Sequence, residues 1–423
     1  MRVLAVTAAL IGAVWATVSA QSAADRDQFF KAEGRWWTQT RHLETRHGSD
    51  PKWNNGAIDT LATWSSFFTA AGFDSNGLPK SNWPFTMVGQ SPIRQRDDRR
   101  GGDDDRGDRG GRTTWIPAPI VPVNLELHQA DGSLLFVDAT SHVVDVLKSP
   151  IFSFTDFSSS RRPTQYADAI QRAQFFSVAD EDWHTMLLPR VEKARTMVLY
   201  SPSYTAQLNS DGSCCVTGGL QIDKDAFLAA MFPQTPTDTS TIIGKAENRG
   251  QITTRDLSIF LFNNVFLVSP QDPSLFASGF HDFDREPGTA ANGWRERRYV
   301  VAVASWLPPN SFGDFGDIAP LSHEITEAIN DPFVANQTPW WLSLSGTCKN
   351  ILEGADVIET TANETFPIVT NGFTYHPVNV ALLPWFAGMR PSPAIDNAYS
   401  YPNIGVLPSP NDISQHPGCG MGM

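Results

Sequence analysis

Cysteine is scarce in this chain: four residues in 423, at positions 214, 215, 348 and 419. So few exclude a disulfide-built scaffold, and the spacing lacks any CxxC pair, which excludes a structural zinc site made of cysteines. A bond between the neighbours Cys214 and Cys215 would close a strained ring, so at least one long-range bridge is expected. Positive charge is also in deficit, with 32 Lys and Arg against 45 Asp and Glu and a formal net charge of −13. Without a basic surplus there is no broad electrostatic grip on nucleic acid or on an anionic membrane, and neither is an expected partner. Past residue 20 no apolar run approaches the roughly 20 residues of a bilayer span, so no membrane span is expected. GxSxG, the P-loop pattern and a GxGxxG that follows a strand are missing too, which removes serine hydrolases and nucleotide-binding enzymes.

What is present begins with MRVLAVTAALIGAVWATVSA, in which Arg2 precedes an apolar run and Val18, Ser19 and Ala20 are small enough for signal peptidase. Residues 1–20 are read as a signal peptide, and the mature chain from Gln21 as secreted and extracellular. Asn336 and Asn363 head glycosylation sequons. With 41% apolar residues, 13 Trp and 26 Phe, the chain can build a large core. Residues 91–112 mix Arg, Asp and Gly with Ile93 as their only hydrophobic residue, and are read as a disordered insertion. Before it, Ile58, Leu61, Trp64 and Phe68 have helical spacing, which places a helical region in 21–90.

After the insertion, VPVNLELH (121–128), the Asp131-Gly132 turn and SLLFVDA make a hairpin. TQYADAIQRAQFF (164–176) reads as a helix, followed by strands at 194–201, 256–269 and 297–307 and then a second helix. Strands that precede the helix predict an α+β fold: a mixed sheet, a helix carrying the site, and an irregular C-terminal lobe within 113–406. Residues 407–423 read as a flexible tail, with Cys419 in a disulfide.

The second helix, LSHEITEAINDPF (321–333), carries the chemistry. Asp317 is its expected N-cap, and Asp331-Pro332 ends it. At about 100° per residue, Ile318, Leu321, Ile325, Ala328 and Ile329 share one side, while His323, Glu327 and Asn330 share the other. His323 and Glu327 stand one turn apart, as two donors to one ion must, and Glu324 flanks them as a base acting on water would. The same pattern also occurs on a solvated face where a histidine and a glutamate merely hydrogen-bond. A carboxylate in place of the second imidazole of HExxH still suits zinc, and discriminates less against manganese, iron or calcium.

A zinc site needs a third protein ligand, and CKNILEGADVIE (348–359) offers Glu353, Asp356 and Glu359, with Glu353 the first choice. His376 is the competing ligand, and it or Tyr375 can steady an oxyanion. His281, Asp282 and Asp284 of GFHDFDREPG suit a second, calcium-type loop, although a turn rich in polar residues is the better account of them. Trp340, Trp341, Trp385 and Phe386 line either a groove for a peptide or sugar, or core.

SHEITEAINDP, followed by Cys348 and the Glu353-x-x-Asp356 spacing, resembles a group of secreted bacterial and fungal proteins with the order HExxE, Asp/Asn-Pro and E-x-x-D. More distantly it is similar to the plant Exordium (phosphate-induced) family. The likeness is clearest over residues 321–356. It implies a zincin-like fold with His323 and Glu327 as ligands and Glu324 as base, and the Exordium group is linked to growth and cell-surface roles. The expected function is a zinc-dependent peptidase using His323, Glu327 and Glu353 for metal and Glu324, Tyr375 and His376 for catalysis, acting on a peptide or a cell-wall or other extracellular substrate. The alternative is a non-catalytic secreted or cell-surface binding protein with a structural or degenerate metal site.

Overall fold

Two apolar runs, LSIFLF at 257–262, broken only by Ser258, and YVVAVA at 299–304, dictate the centre of the molecule. Strands that are apolar at nearly every position have both faces covered, which is the situation of a parallel sheet packed between layers. In the structure, a computed structural model, both runs are central parallel strands. It describes residues 58–69, 82–92, 113–176, 178–179, 181–271, 276–312, 314–359, 361–391, 395–411 and 419. The expected signal peptide, residues 21–57 of the expected helical region, residues 93–112 of the insertion and most of the tail lie outside these.

The elements that matter here are β1 (Thr63–Thr69), β2 (Asn82–Val88), β3 (Thr113–His128), β4 (Leu134–Val137), α1 (Tyr166–Gln174), β5 (His184–Val191) and β6 (Arg195–Tyr200). They continue with α2 (Ile242–Asn248), β7 (Leu257–Asn263), β8 (Val265–Val268), β9 (Gly279–Glu286), β10 (Glu296–Phe312), α3 (Ala319–Asn330), β11 (Gln337–Leu342) and β12 (Cys348–Ile351). The central sheet runs β10-β7-β3-β4, with β7 parallel to both β10 and β3, and β5 and β6 parallel to successive halves of β3. β4 closes the expected hairpin on β3, and β9 is antiparallel to β10.

Alternation along β10 sends Val300, Ala302 and Ala304 to one face, under Leu321, Ile325, Ala328 and Ile329 of α3. Val301 and Val303 go to the other, under Ile242, Ile243 and Ala246 of α2. This is a mixed α/β architecture with a parallel centre, not the α+β segregation expected from element order. The expected mixed sheet and the helix that follows it are present; the expectation missed the parallel centre because it weighed the sequence of elements above the long apolar runs, which require cover on both faces.

The helical reading of residues 58–69 is also overturned. Trp64 and Phe68 lie on β1, opposite Met87 and Trp83 of β2. A spacing of four fits a helix turn and also every second pair of strand positions, so periodicity alone did not distinguish them. Asp317 is not the N-cap of α3: that position is Ile318, and the Asp317 carboxylate accepts from the Ile318 and His376 amides at 2.6 and 3.0 Å.

Cys348 bridges Cys419, the expected long-range bond, and Cys214 bridges Cys215 as well, contrary to expectation. Two bonded pairs fit an oxidising compartment. Trp341, Trp385 and Phe386 pack edge-on in one buried cluster, which makes them core. No helix among the described residues is long and apolar enough to cross a membrane.

A candidate metal centre beneath the HExxE helix

All twelve side chains of α3 are buried, including His323, Glu324 and Glu327. A solvated polar face is therefore excluded. The apolar side rests on β10; beside it in the same sheet β9 brings His281 to Glu324 and Glu327, and residues 349–359 cover His323 and Glu327. Covering a polar helix face in this way is costly unless its charges find partners.

His323 Nε2 lies 3.1 Å from Glu327 Oε2, 3.2 Å from Asp356 Oδ1 and 4.0 Å from Glu359 Oε1. Glu327 Oε1 is turned away and accepts from the backbone N–H groups of Ala355 and Asp356 at 3.1 and 3.4 Å. Those two amides hold the carboxylate so that Oε2 faces the imidazole. The Lys349 ammonium pairs with Asp356 Oδ2, leaving Oδ1 toward His323. One atom each from His323, Glu327 and Asp356 thus converges on a common centre. Separations of 3.1 and 3.2 Å match the edges, about 3.3 Å, of a tetrahedron whose metal–ligand bonds are about 2.0–2.1 Å. These buried groups can hold a metal ion.

β9 contributes the second imidazole. His281 Nδ1 is 3.6 Å from Glu324 Oε2 and 3.7 Å from Glu327 Oε2, while Nε2 is 3.9 Å from Glu353 Oε1. The GFHDFDRE stretch is a strand rather than the expected loop or turn, and its alternation separates His281 from Asp282 and Asp284. Asp284 and Glu286 act instead on Glu247 of α2, across the sheet, so His281 and those acids do not share one ion.

The electrostatics follow from burial. Loss of water disfavours a charged His281, yet the carboxylates of Glu353, Glu324 and Glu327 outweigh it and raise its pKa to about 10. His323 is likewise held well above the ordinary range against burial, by Glu327 and Glu324. Burial raises the Glu327 carboxyl, and His323 more than reverses that, leaving it below its usual value. Burial, reinforced by Glu327, pushes Glu353 up to about 7. Asp331, at the end of α3, also rises to about 7, through burial and then Glu353.

The structure therefore brings His323, Glu324 and Glu327 together with Asp356, and sets Glu353 beside His281 rather than His323. Tyr375 and His376 are committed elsewhere: the Tyr375 hydroxyl donates to the Asp145 carbonyl at 2.9 Å, and His376 Nδ1 meets Asp317 Oδ2 at 2.8 Å. Sequence reasoning missed His281 as a neighbour of the helix and Lys349 as the partner of Asp356. No local pattern marked His281, since Phe280 and Phe283 of FHDFDRE are three apart and fall on opposite faces of the strand, and nothing local marked Lys349. The chain matches no protein-family model, no curated protein and no solved structure.

Proposed function

We propose that this chain is a secreted zinc-dependent hydrolase of the zincin-like type, a peptidase whose HExxE helix supplies the first two ligands. The observation that carries the reading is the convergence of His323 Nε2, Glu327 Oε2 and Asp356 Oδ1 inside a buried, anionic group. The resemblance of SHEITEAINDP to HExxE proteins supports it. Asp356 serves as third ligand in place of Glu353, because among the carboxylates of the 348–359 stretch it comes nearest His323, at 3.2 Å against 4.0 Å for Glu359. A divalent cation held there supplies Lewis acidity, polarising a carbonyl and acidifying water. Glu324, next to His323 in sequence but turned toward His281, takes the proton. The Ala355 and Asp356 amides and Lys349 fix the two ligand carboxylates, so the site is organised before any substrate arrives.

Elemental analysis of the mature protein and of His323→Ala tests the metal, with about one zinc lost in the variant. A peptide-library assay tests turnover: Glu324→Gln should retain the ion at His323 and lose cleavage. Cleavage by Glu324→Gln at the wild-type rate would sink the mechanism. One observation favours a second reading, a non-catalytic extracellular binding protein with a structural ion: the side chains of His323 and Glu327 are only 6% and 2% exposed. That reading requires chelator-sensitive stability and no hydrolysis by metal-loaded protein.

A further inference from the structure

The convergence at His323 leaves a second constellation unused. His281 Nδ1, Glu324 and Glu327 also place one ligand atom each within a common centre, and all three residues are buried. We propose that the centre is dinuclear: a second divalent cation sits between His281, Glu324 and Glu327, and Glu327 Oε2 is shared by both ions. The proposal rests on the first cation proposed above and deepens that reading.

Four observations carry it. Distances of 3.6 and 3.7 Å from His281 Nδ1 to Glu324 and Glu327 are too long for hydrogen bonds. They fit ligands about one ion with bonds of about 2.2 Å, for which tetrahedral edges are about 3.6 Å. The buried His281 Nε2 has no hydrogen-bond partner and faces Glu353 Oε1. A ligating imidazole characteristically aims its second nitrogen at a carboxylate in this way.

Glu327 is built to be shared. Its Oε1 is occupied by two backbone amides, and Oε2 alone faces both imidazoles. Paired metal ions about 3.5–4 Å apart are commonly bridged by such a group. Finally, Gly279 opens the room for Glu324, since a Cβ there would stand 2.9 Å from Glu324 Oε1 and 2.9 Å from the Val303 carbonyl.

As a ligand of the second ion, Glu324 is not the proton acceptor, and the metal count decides between these assignments. The mature protein is stripped with chelator and titrated with Mn(II), with bound metal measured by elemental analysis and coupling between ions by electron paramagnetic resonance. The expected result is two ions per chain with a spin-coupled spectrum. His281→Ala and Glu324→Gln, each checked for folding by near-ultraviolet circular dichroism, should bind one ion with an uncoupled spectrum. One ion in the wild type with an uncoupled spectrum, or two ions retained in Glu324→Gln, overturns the second site and leaves the first standing. Two uncoupled ions overturn the sharing of Glu327. No ion in the wild type overturns both sites. The wild-type spectrum needs no variant, so a His281→Ala that fails to fold leaves the test intact.

Discussion

Asn336 shows how much one side chain can tie together. Its amide donates to the Thr86 and Asn330 carbonyls at 2.7 and 2.6 Å and accepts from the Thr86 amide at 2.8 Å, joining β2 to the end of α3. The sequon asparagine is thus buried and occupied, whereas Asn363 is exposed. Asn336→Ala strands three polar groups and is expected to cost about 1–3 kcal/mol, read from the urea midpoint. Glu247 makes a different residue-scale prediction. Burial, then Asp284 and Glu286, raise its pKa to about 8. The folded state therefore binds its proton more tightly than the unfolded chain, and the stability this gives is full in acid and lost as pH rises toward 8. Glu247→Gln should flatten that decline, as measured by thermal unfolding between the carboxylate range and pH 8; an unchanged profile would contradict the assignment.

At the scale of elements, α3 works because one side is core and the other is chemistry. Ile325 is fully buried against β10, and Ile325→Ala is expected to cost about 2–5 kcal/mol by loss of transfer energy and a cavity. The Cys348–Cys419 bridge closes a loop across 71 positions of sequence and anchors the start of β12, next to Lys349 and the acids of 349–359. Chain entropy gives such a bridge roughly 4 kcal/mol. Replacing both cysteines by serine should lower the urea midpoint, and should also weaken metal binding because Asp356 sits on the segment that the bridge tethers. Metal affinity unchanged in that variant would mean that β11 and the sheet beneath suffice to hold the segment.

For the whole molecule, a cation that binds only the folded state stabilises it by mass action, about 2.7 kcal/mol at a hundredfold excess over Kd. Chelation should therefore lower the melting temperature of the wild type, and graded zinc should restore it. His323→Ala should remove the response. Calorimetry across a zinc series checks this, and a variant that responds like wild type would place the ion elsewhere in the molecule.

The local features of the chain were readable from its order of residues: the β3–β4 hairpin, the helix at 166–174, the limits of α3 near Asp331-Pro332, and the meeting of His323 with Glu327. Each depends on neighbours within a turn or two, where spacing and propensity act directly. Only the tertiary structure decided which further groups join them. Asp356 reaches His323 because β12 and its bridge fold that segment over α3, and His281 arrives because β9 pairs with β10 directly under the helix. The parallel centre likewise depends on long-range pairing of β7 with β10 and β3, while β1 needed β2 beside it to be distinguished from a helix. A charge cluster assembled from three separated segments leaves no periodic trace, because the energy that selects it is the shared burial of groups far apart in the chain.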